Sequence, residues 1–119
     1  KAKKTAAADV PPGLISIDTV KQVELKTAQV VSAQPIEGSA KLLKLMVQIG
    51  AETRQIVAGI AAHYAAADLP GKTVVVVTNL KPATLFGVES NGMLLAAKTG
   101  NQLEIITVDG DIASGASVG

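Results

Sequence analysis

Three short motifs in this 119-residue sequence contain residue types that can do chemistry. His63 stands beside Tyr64 in an Ala-rich segment, but the chain has one His and no Cys from which to build a metal site. Gly71-Lys72-Thr73 ends like a phosphate-binding loop, yet Ala66 occupies the place of its first glycine and a strand follows instead of a helix. Asp109-Gly110-Asp111 lacks the further oxygen ligands of a calcium loop.

No combination of nucleophile, general base and orienting acid occurs in a pattern specific enough to suggest a reaction. We therefore predict a non-catalytic domain that has no cofactor, no metal site and no small-molecule substrate. A binding function remains, and the distribution of charge limits the kind of partner that such a domain can bind.

The formal net charge of +1 conceals an uneven distribution. Residues 1–13 carry Lys1, Lys3 and Lys4 against Asp9, whereas residues 14–119 contain 8 basic and 9 acidic side chains. No Lys or Arg follows Lys98. A polyanionic partner must therefore meet a local patch of cations drawn from the segment between residues 21 and 98.

The sequence predicts one domain after a linker. Residues 1–13 are rich in Ala and Lys and end in Pro-Pro-Gly, so we assign them to a linker and residues 14–119 to the domain. The chain starts at Lys1 without a signal-peptide pattern, and we expect a fragment of a longer protein. Its apolar runs are far shorter than the ~18 residues of a membrane span. The absence of Cys suits a cytoplasmic location.

Hydrophobic periodicity indicates a small all-β barrel. Leu43, Leu45, Val47 and Ile49 alternate with polar or flexible side chains, as in a half-buried strand. Further strands are predicted in "ELKTAQVVSAQPI", "TRQIVAG", "KTVVVVTNL", "GMLLAAK" and "LEIITV". A helical turn is predicted at residues 18–23, capped by Ser16 or Asp18, and an Ala-rich short helix near residues 60–67. Five or more short strands around one helix are typical of such a barrel.

At this point several segments together resemble a known family. "VELKTAQVVSAQPIEGSAKLLKLMVQIGAETRQIVAGI" followed by "GKTVVVVTNLKPATLFGVESNGMLLAA" is similar to the tRNA-binding module appended to many methionyl-tRNA synthetases, which also occurs as a free-standing tRNA-binding protein. The resemblance covers about residues 14–119. It implies an OB-fold barrel with terminal extensions, homodimerisation through segments at both ends, and sequence-independent capture of the tRNA body. "EGSAKLLKL" after a Lys/Ala linker favours the synthetase C-terminal appendix.

The stretch at residues 79–97 is a region that faces nucleic acid in that family, although by itself it can also be a loop and hairpin that only close a small barrel. Pro82 fixes its own φ and restrains Lys81, so a cation is displayed on a stiff loop. Asn79, Ser90 and Met93 border the same turn and the entry to the next strand, and we predict that they shape the RNA-binding loop.

Other predicted RNA contacts are cations that can follow phosphates along one face of the barrel. They are Lys26, Lys41, Lys44 and Arg54. Members of the family often carry two cations where this chain has Ala83 and Thr84. Tyr64 and Phe86 are the only aromatic residues, too few to stack successive bases, so the prediction is recognition of shape and backbone.

Two other functions compete with tRNA binding. The net negative charge of residues 14–119 and the pair Ala83-Thr84 favour a dimerisation or protein-interaction module with little RNA binding. A free-standing tRNA-binding or chaperone-like protein is the other alternative. The apolar strips "GLISIDTV" and "LEIITVDGDIASGASV" support the prediction of a homodimer.

Overall fold

The structure is a computed structural model that describes residues 11–119. Most of the predicted linker at residues 1–13 lies outside this range. Of that segment, Pro11 accepts a hydrogen bond of 3.1 Å from the backbone N–H of Leu14, which closes a turn before the domain. The predicted boundary at residue 14 stays a prediction.

The main sheet is built from the strands that the sequence predicts most clearly. These are β1 (Leu25–Pro35), β2 (Leu43–Ile49), β3 (Glu52–Ala58) and β4 (Thr73–Val77). All pairings are antiparallel, and the order is β3-β2-β1-β4 followed by β7 (Met93–Leu94). The alternating residues of β2 are buried on one face as expected. Strand β1 pairs with β4 through its first residues and with β2 through its later ones, with a bulge between Val30 and Ser32.

This sheet curls into a half-barrel around one aliphatic core. Leu45, Val47, Ile56, Val74 and Val76 are almost completely buried there. A bulge increases the bend and twist of its strand, which allows β1 to belong to both halves of the curled sheet. The prediction of an all-β, OB-like fold is confirmed.

The remaining strands are short. β5 (Ala83–Leu85) and β6 (Val88–Ser90) form a hairpin, β8 (Ala96–Thr99) and β9 (Gln102–Ile105) form a second, and β10 (Ser117–Val118) pairs with the start of β1. The single strand predicted for "GMLLAAK" is wrong, because it divides at Leu95 into β7 and β8. There Leu95 donates its N–H to Val75 O while its own C=O accepts from Ile106.

The predicted helix near residues 60–67 is also wrong. This segment forms turns and one 3₁₀ turn (Ala66–Asp68), since the Tyr64 hydroxyl accepts a 2.9 Å hydrogen bond from the Ile105 N–H and Leu69 is fully buried. A helix of two turns has little stability of its own, and these tertiary contacts override its propensity. In the described range, the α-helix is α1 (Ile17–Val20), with the predicted N-cap Ser16. No helix among residues 11–119 is long and apolar enough to cross a membrane.

Candidate nucleic-acid interface

Arg54 holds together one end of the half-barrel. Its Nη1 donates to the carbonyl oxygens of Thr78 and Asn91 at 2.6 and 3.3 Å, and its Nε donates to Glu52 Oε2 at 2.8 Å. These bonds join the start of β3 to the end of β4 and to the turn before β7. The guanidinium lies in a groove of about 510 Å³, the Arg54 groove, lined by Met46, Glu52, Thr53, Arg54, Gln55, Thr78, Leu80 and Asn91.

Electrostatics in the Arg54 groove are mixed. The hydrogen bond from Arg54 lowers the pKa of the Glu52 carboxyl below its ordinary value, partial desolvation opposes this change, and the positive charges of Arg54 and Lys26 reinforce it. Glu52 therefore stays ionised at neutral pH and neutralises part of the Arg54 charge. The groove therefore holds a fixed cation whose charge is partly neutralised and does not have a strong positive potential.

Asn79 and Ser90, two of the predicted RNA contacts, use their side chains inside the fold. Asn79 accepts from the Glu24 N–H at 2.9 Å and donates to Gln22 O at 2.7 Å, which fastens the segment after α1 to the end of β4. Ser90 is buried; its hydroxyl accepts from the Val57 N–H at 2.9 Å and donates to Gly92 O at 3.1 Å. Both residues shape the predicted loop by positioning its backbone.

Lys44 lies on the outer face of β2. It alternates with the buried Leu43 and Leu45 and therefore shares that face with Met46, which lines the Arg54 groove. Lys41 is exposed in the loop just before β2. Lys41 in the loop is thus followed by Lys44 and Met46 on the outer face of β2, in the direction of the Arg54 groove that Met46 lines. We call this series the β2 track.

The remaining predicted contacts lie apart from the β2 track. Lys26 is half-buried near the start of β1 and lines a different cavity, with Val23 and the C-terminal residues Ser117 and Val118. Lys81 is exposed just after Leu80, a residue of the Arg54 groove. Met93 is 48% exposed on β7. The structure therefore places Lys41 and Lys44 on the β2 track, whereas Arg54 pairs with the buried Val47 and its side chain lies on the other face of the sheet. Lys26, Lys81 and Met93 also lie outside the track.

Several residues of the groove were missed from the sequence. Asn91 contributes its carbonyl oxygen to Arg54 and its N–H to Gln55 O, and Gln55 itself donates to Glu89 O at 2.7 Å. The turn signal Ser90-Asn91-Gly92 marks Asn91 as a turn residue, but only the pairing of that turn with β3 makes it part of the groove. Met46 and Gln55 carry no sequence signal beyond strand alternation.

A family model described as a tRNA binding domain matches residues 25–117, from the first residue of β1 into β10. The chain belongs to the tRNA-binding domain family. The family resemblance predicted from the sequence is thereby confirmed. The match spans the whole half-barrel, including the Arg54 groove and the β2 track.

Similar curated proteins are methionine–tRNA ligases, and this tRNA-binding domain corresponds to a small part of each. The enzyme of Thermotoga maritima is 55% identical over 104 residues, which are 87% of this chain and 16% of that protein. The enzyme of Methanoregula boonei is 61% identical over 84 residues, 71% of this chain and 13% of that protein.

Solved structures with the same fold include proteins that are much shorter than these ligases. A MetRS-related protein from Pyrococcus horikoshii superposes with a TM-score of 0.84 at 39% identity, covering 88% of this chain and 97% of that one. The chaperone CsaA from Bacillus anthracis superposes with a TM-score of 0.83 over 90% of this chain and 100% of that one. Its 18% identity shows the shared fold alone.

Proposed function

We propose that this tRNA-binding domain is the C-terminal appendix of a methionine–tRNA ligase and captures the body of tRNA through phosphate contacts, without preference for sequence. The observation that carries the proposal is the family match over residues 25–117. The identity of 55% with one such ligase supports the assignment of the parent enzyme. The enzymatic activity would then belong to other parts of that protein, and the cytoplasmic location would follow from it.

The β2 track supports phosphate recognition. Lys41 and Lys44 present flexible ammonium groups, whereas Arg54, on the other face of the sheet, is already bonded to Thr78, Asn91 and Glu52. Cations that follow one another on one face can contact successive phosphates, which are the same in every tRNA. If Lys81 also contributes, roughly 3 to 5 phosphates would be neutralised. A plot of log affinity against log salt concentration would then have a slope of about −2 to −4.

An appended domain of modest affinity is useful to a synthetase. Once it holds a tRNA, the catalytic part of the same protein meets that tRNA at a high effective concentration. This argument explains why the chain does not need the two cations that relatives often have at the positions of Ala83 and Thr84, both of which are exposed here on β5.

Homodimerisation is the second part of the proposal. Leu14, Ile15, Ile17 and Val20 are 48–66% exposed, and α1 buries none of its residues. Val23 follows them and lines a cavity with Val118 of β10. Val23 and Val118 therefore lie together beside the start of β1, and a second copy would cover them and the exposed apolar residues of α1.

The test of RNA binding is an anisotropy titration of two unrelated tRNAs at two salt concentrations. We expect Lys44→Glu and Lys81→Glu each to lower the affinity for both tRNAs by roughly fivefold, because one exposed charge-assisted hydrogen bond contributes on this scale. We expect the double substitution Ala83→Arg/Thr84→Lys to raise the affinity for both tRNAs. Lys98→Glu, an equal charge reversal on the separate β8–β9 hairpin, is the matched control.

Three outcomes would contradict the proposal. They are an affinity that does not respond to salt, a strong preference for one tRNA, and equal losses in Lys98→Glu and Lys44→Glu. If the wild-type domain forms dimers but binds neither tRNA, the dimerisation module with little RNA binding becomes the better description.

A further inference from the structure

Phe86 is an aromatic residue in a place that the fold alone does not explain. It is 62% exposed at the tip of the β5–β6 hairpin, where Leu85 pairs with Val88 across a two-residue loop. Phe86 and Gly87 have φ angles of 51° and 76°, which is the backbone of a type I′ turn. Asn, Asp and Gly suit this turn, whereas the Cβ of a bulky residue is crowded there.

The core does not compensate for this unfavourable backbone. Tyr64, the other aromatic residue, is half-buried against the core and uses its hydroxyl to bind the Ile105 N–H. Phe86 instead leaves most of its ring in solvent, and the neighbouring Leu85 is 40% exposed. An exposed ring on a strained backbone is a feature that folding stability does not favour, and such outliers are often found where ligands bind.

The ring faces the loop between β1 and β2. A Cβ placed on Gly38 would lie 3.7 Å from Phe86 Cδ2, so the edge of the ring rests beside a residue without a side chain. Between the hairpin and the loop is a cleft of about 500 Å³, the Phe86 cleft. Leu42 and Leu85 give it apolar walls, and Lys41 is its one cation.

The loop that forms the other wall is held in place. The Ser39 hydroxyl accepts from the N–H groups of both Lys41 and Leu42 at 3.2 Å, and Lys41 O accepts from the Ala61 N–H at 3.0 Å. The Lys41 backbone is therefore fixed while its side chain is exposed, and it makes no ion pair within residues 11–119. A cleft with preformed walls loses little entropy when a ligand enters.

We propose that the Phe86 cleft binds one unpaired nucleotide of the tRNA, with its base stacked on the Phe86 ring and a neighbouring phosphate on Lys41. This inference rests on the proposed function and adds a contact to a base. Lys41 also begins the β2 track, so one RNA strand can pass from the cleft to Lys44. Stacking tolerates any base because each has a π-face, so the contact selects unpaired structure without selecting sequence.

RNA fits this cleft better than a protein partner. A docked helix or strand needs an apolar strip along several of its turns or residues. Here the apolar walls are limited to a few side chains and end at Lys41, and the next cation along the chain is Lys44 on the outer face of β2. One flat ring beside one cation matches the base and phosphate of a single nucleotide.

The first test uses Phe86→Trp. The chain contains no Trp, so this variant carries a single tryptophan, which lies at the cleft and can be excited separately from Tyr64. We expect tRNA to quench its emission in a saturable way, at the concentrations that bind by anisotropy, because stacking on a base quenches indole. A blunt RNA duplex, whose bases are all paired, should bind with little quenching. Ile112→Trp, an exposed reporter beside the C-terminal residues that bond to Thr27, should respond to neither RNA.

The second test uses Phe86→Asn, which separates binding from stability. Asn tolerates the positive φ, so the variant should resist urea at least as well as the wild type while binding tRNA at least about fivefold more weakly. If the ring served only folding, Phe86→Asn would lower the resistance to urea and leave the tRNA affinity unchanged. Equal tRNA affinities of Phe86→Asn and wild type would overturn the stacking contact and leave the proposed function intact.

Two other results would also overturn the inference. If the wild-type domain binds no tRNA, the proposed function and the stacking contact fail together. If the Phe86→Trp emission changes with protein concentration in the absence of RNA, the cleft is covered by a second copy of the chain.

Discussion

At the scale of single residues, Arg54 combines a structural role with a proposed binding role. Its side chain is 24% exposed, and its Nη1 satisfies two backbone carbonyls on separate segments. We expect Arg54→Gln to lower the free energy of unfolding by about 1 to 3 kcal/mol, because hydrogen bonds from a charged donor are lost and the Thr78 carbonyl is left without this partner. Urea denaturation measures the change.

Glu52 provides the control variant for this prediction, and its ion pair with Arg54 makes the stability depend on pH. Glu52→Gln removes the ion pair but leaves the carbonyl bonds of Arg54, so its effect should be much smaller than that of Arg54→Gln. Since Arg54 lowers the folded pKa of Glu52, the pair stabilises the fold above the ordinary value of 4.5 and loses that contribution as pH falls through the folded pKa. In Arg54→Gln the Glu52 midpoint, followed by NMR, should rise. Equal stability of the two variants, with an unmoved midpoint, would contradict the assigned role.

At the scale of elements, the C-terminal segment is attached to the barrel through Thr27. The Thr27 N–H and hydroxyl donate to Ala116 O and Ala113 O at 2.9 and 2.8 Å, and Thr27 O accepts from the Gly115 N–H at 2.7 Å. Gly115 lies so close to the turn between β2 and β3 that an added Cβ would be 2.9 Å from Gly50 N. Its φ of 87° also favours glycine.

We therefore expect Gly115→Ala to destabilise the domain by more than about 1 kcal/mol and to expose the Thr27 amide to hydrogen exchange. The matched control is Gly110→Ala, where nothing lies within 4 Å of the added Cβ and no positive φ is required. Its stability should remain within about 0.5 kcal/mol of the wild type. Similar urea midpoints for the two variants would show that the close approach of Gly115 to Gly50 does not constrain the segment.

At the scale of the whole molecule, the proposed dimer predicts a mass near twice 12.0 kDa by light scattering at micromolar concentration. Ile15→Asp and Ile17→Asp should shift this mass toward the monomer without loss of fold, because both side chains are about two-thirds exposed in one chain. Val31→Asp, at an exposed position on β1 outside the terminal segments, should remain dimeric. A monomeric wild type, or equal dissociation of all three variants, would rule out this interface.

The sequence by itself determined the strands whose pattern is local. The alternation in residues 43–49 follows from the geometry of a strand with one buried face, and the run of Val residues in β4 similarly requires no distant partner to be recognised. The order of several such segments was enough to predict the family and the all-β class.

Tertiary structure decided what each candidate side chain does, because the deciding partners are far away in sequence. Asn79 bonds to residues 55 and 57 positions away, and Ser90 bonds to a residue 33 positions away. Tyr64 bonds to Ile105, 41 residues on, and this contact favours turns over the Ala-rich helix that local propensity predicts. The cleft beside Phe86 exists only because the hairpin meets Gly38 of another loop. Local charge and hydrophobic periodicity depend on residues that are neighbours in sequence. Burial and hydrogen-bond partners depend on the tertiary structure of the whole domain.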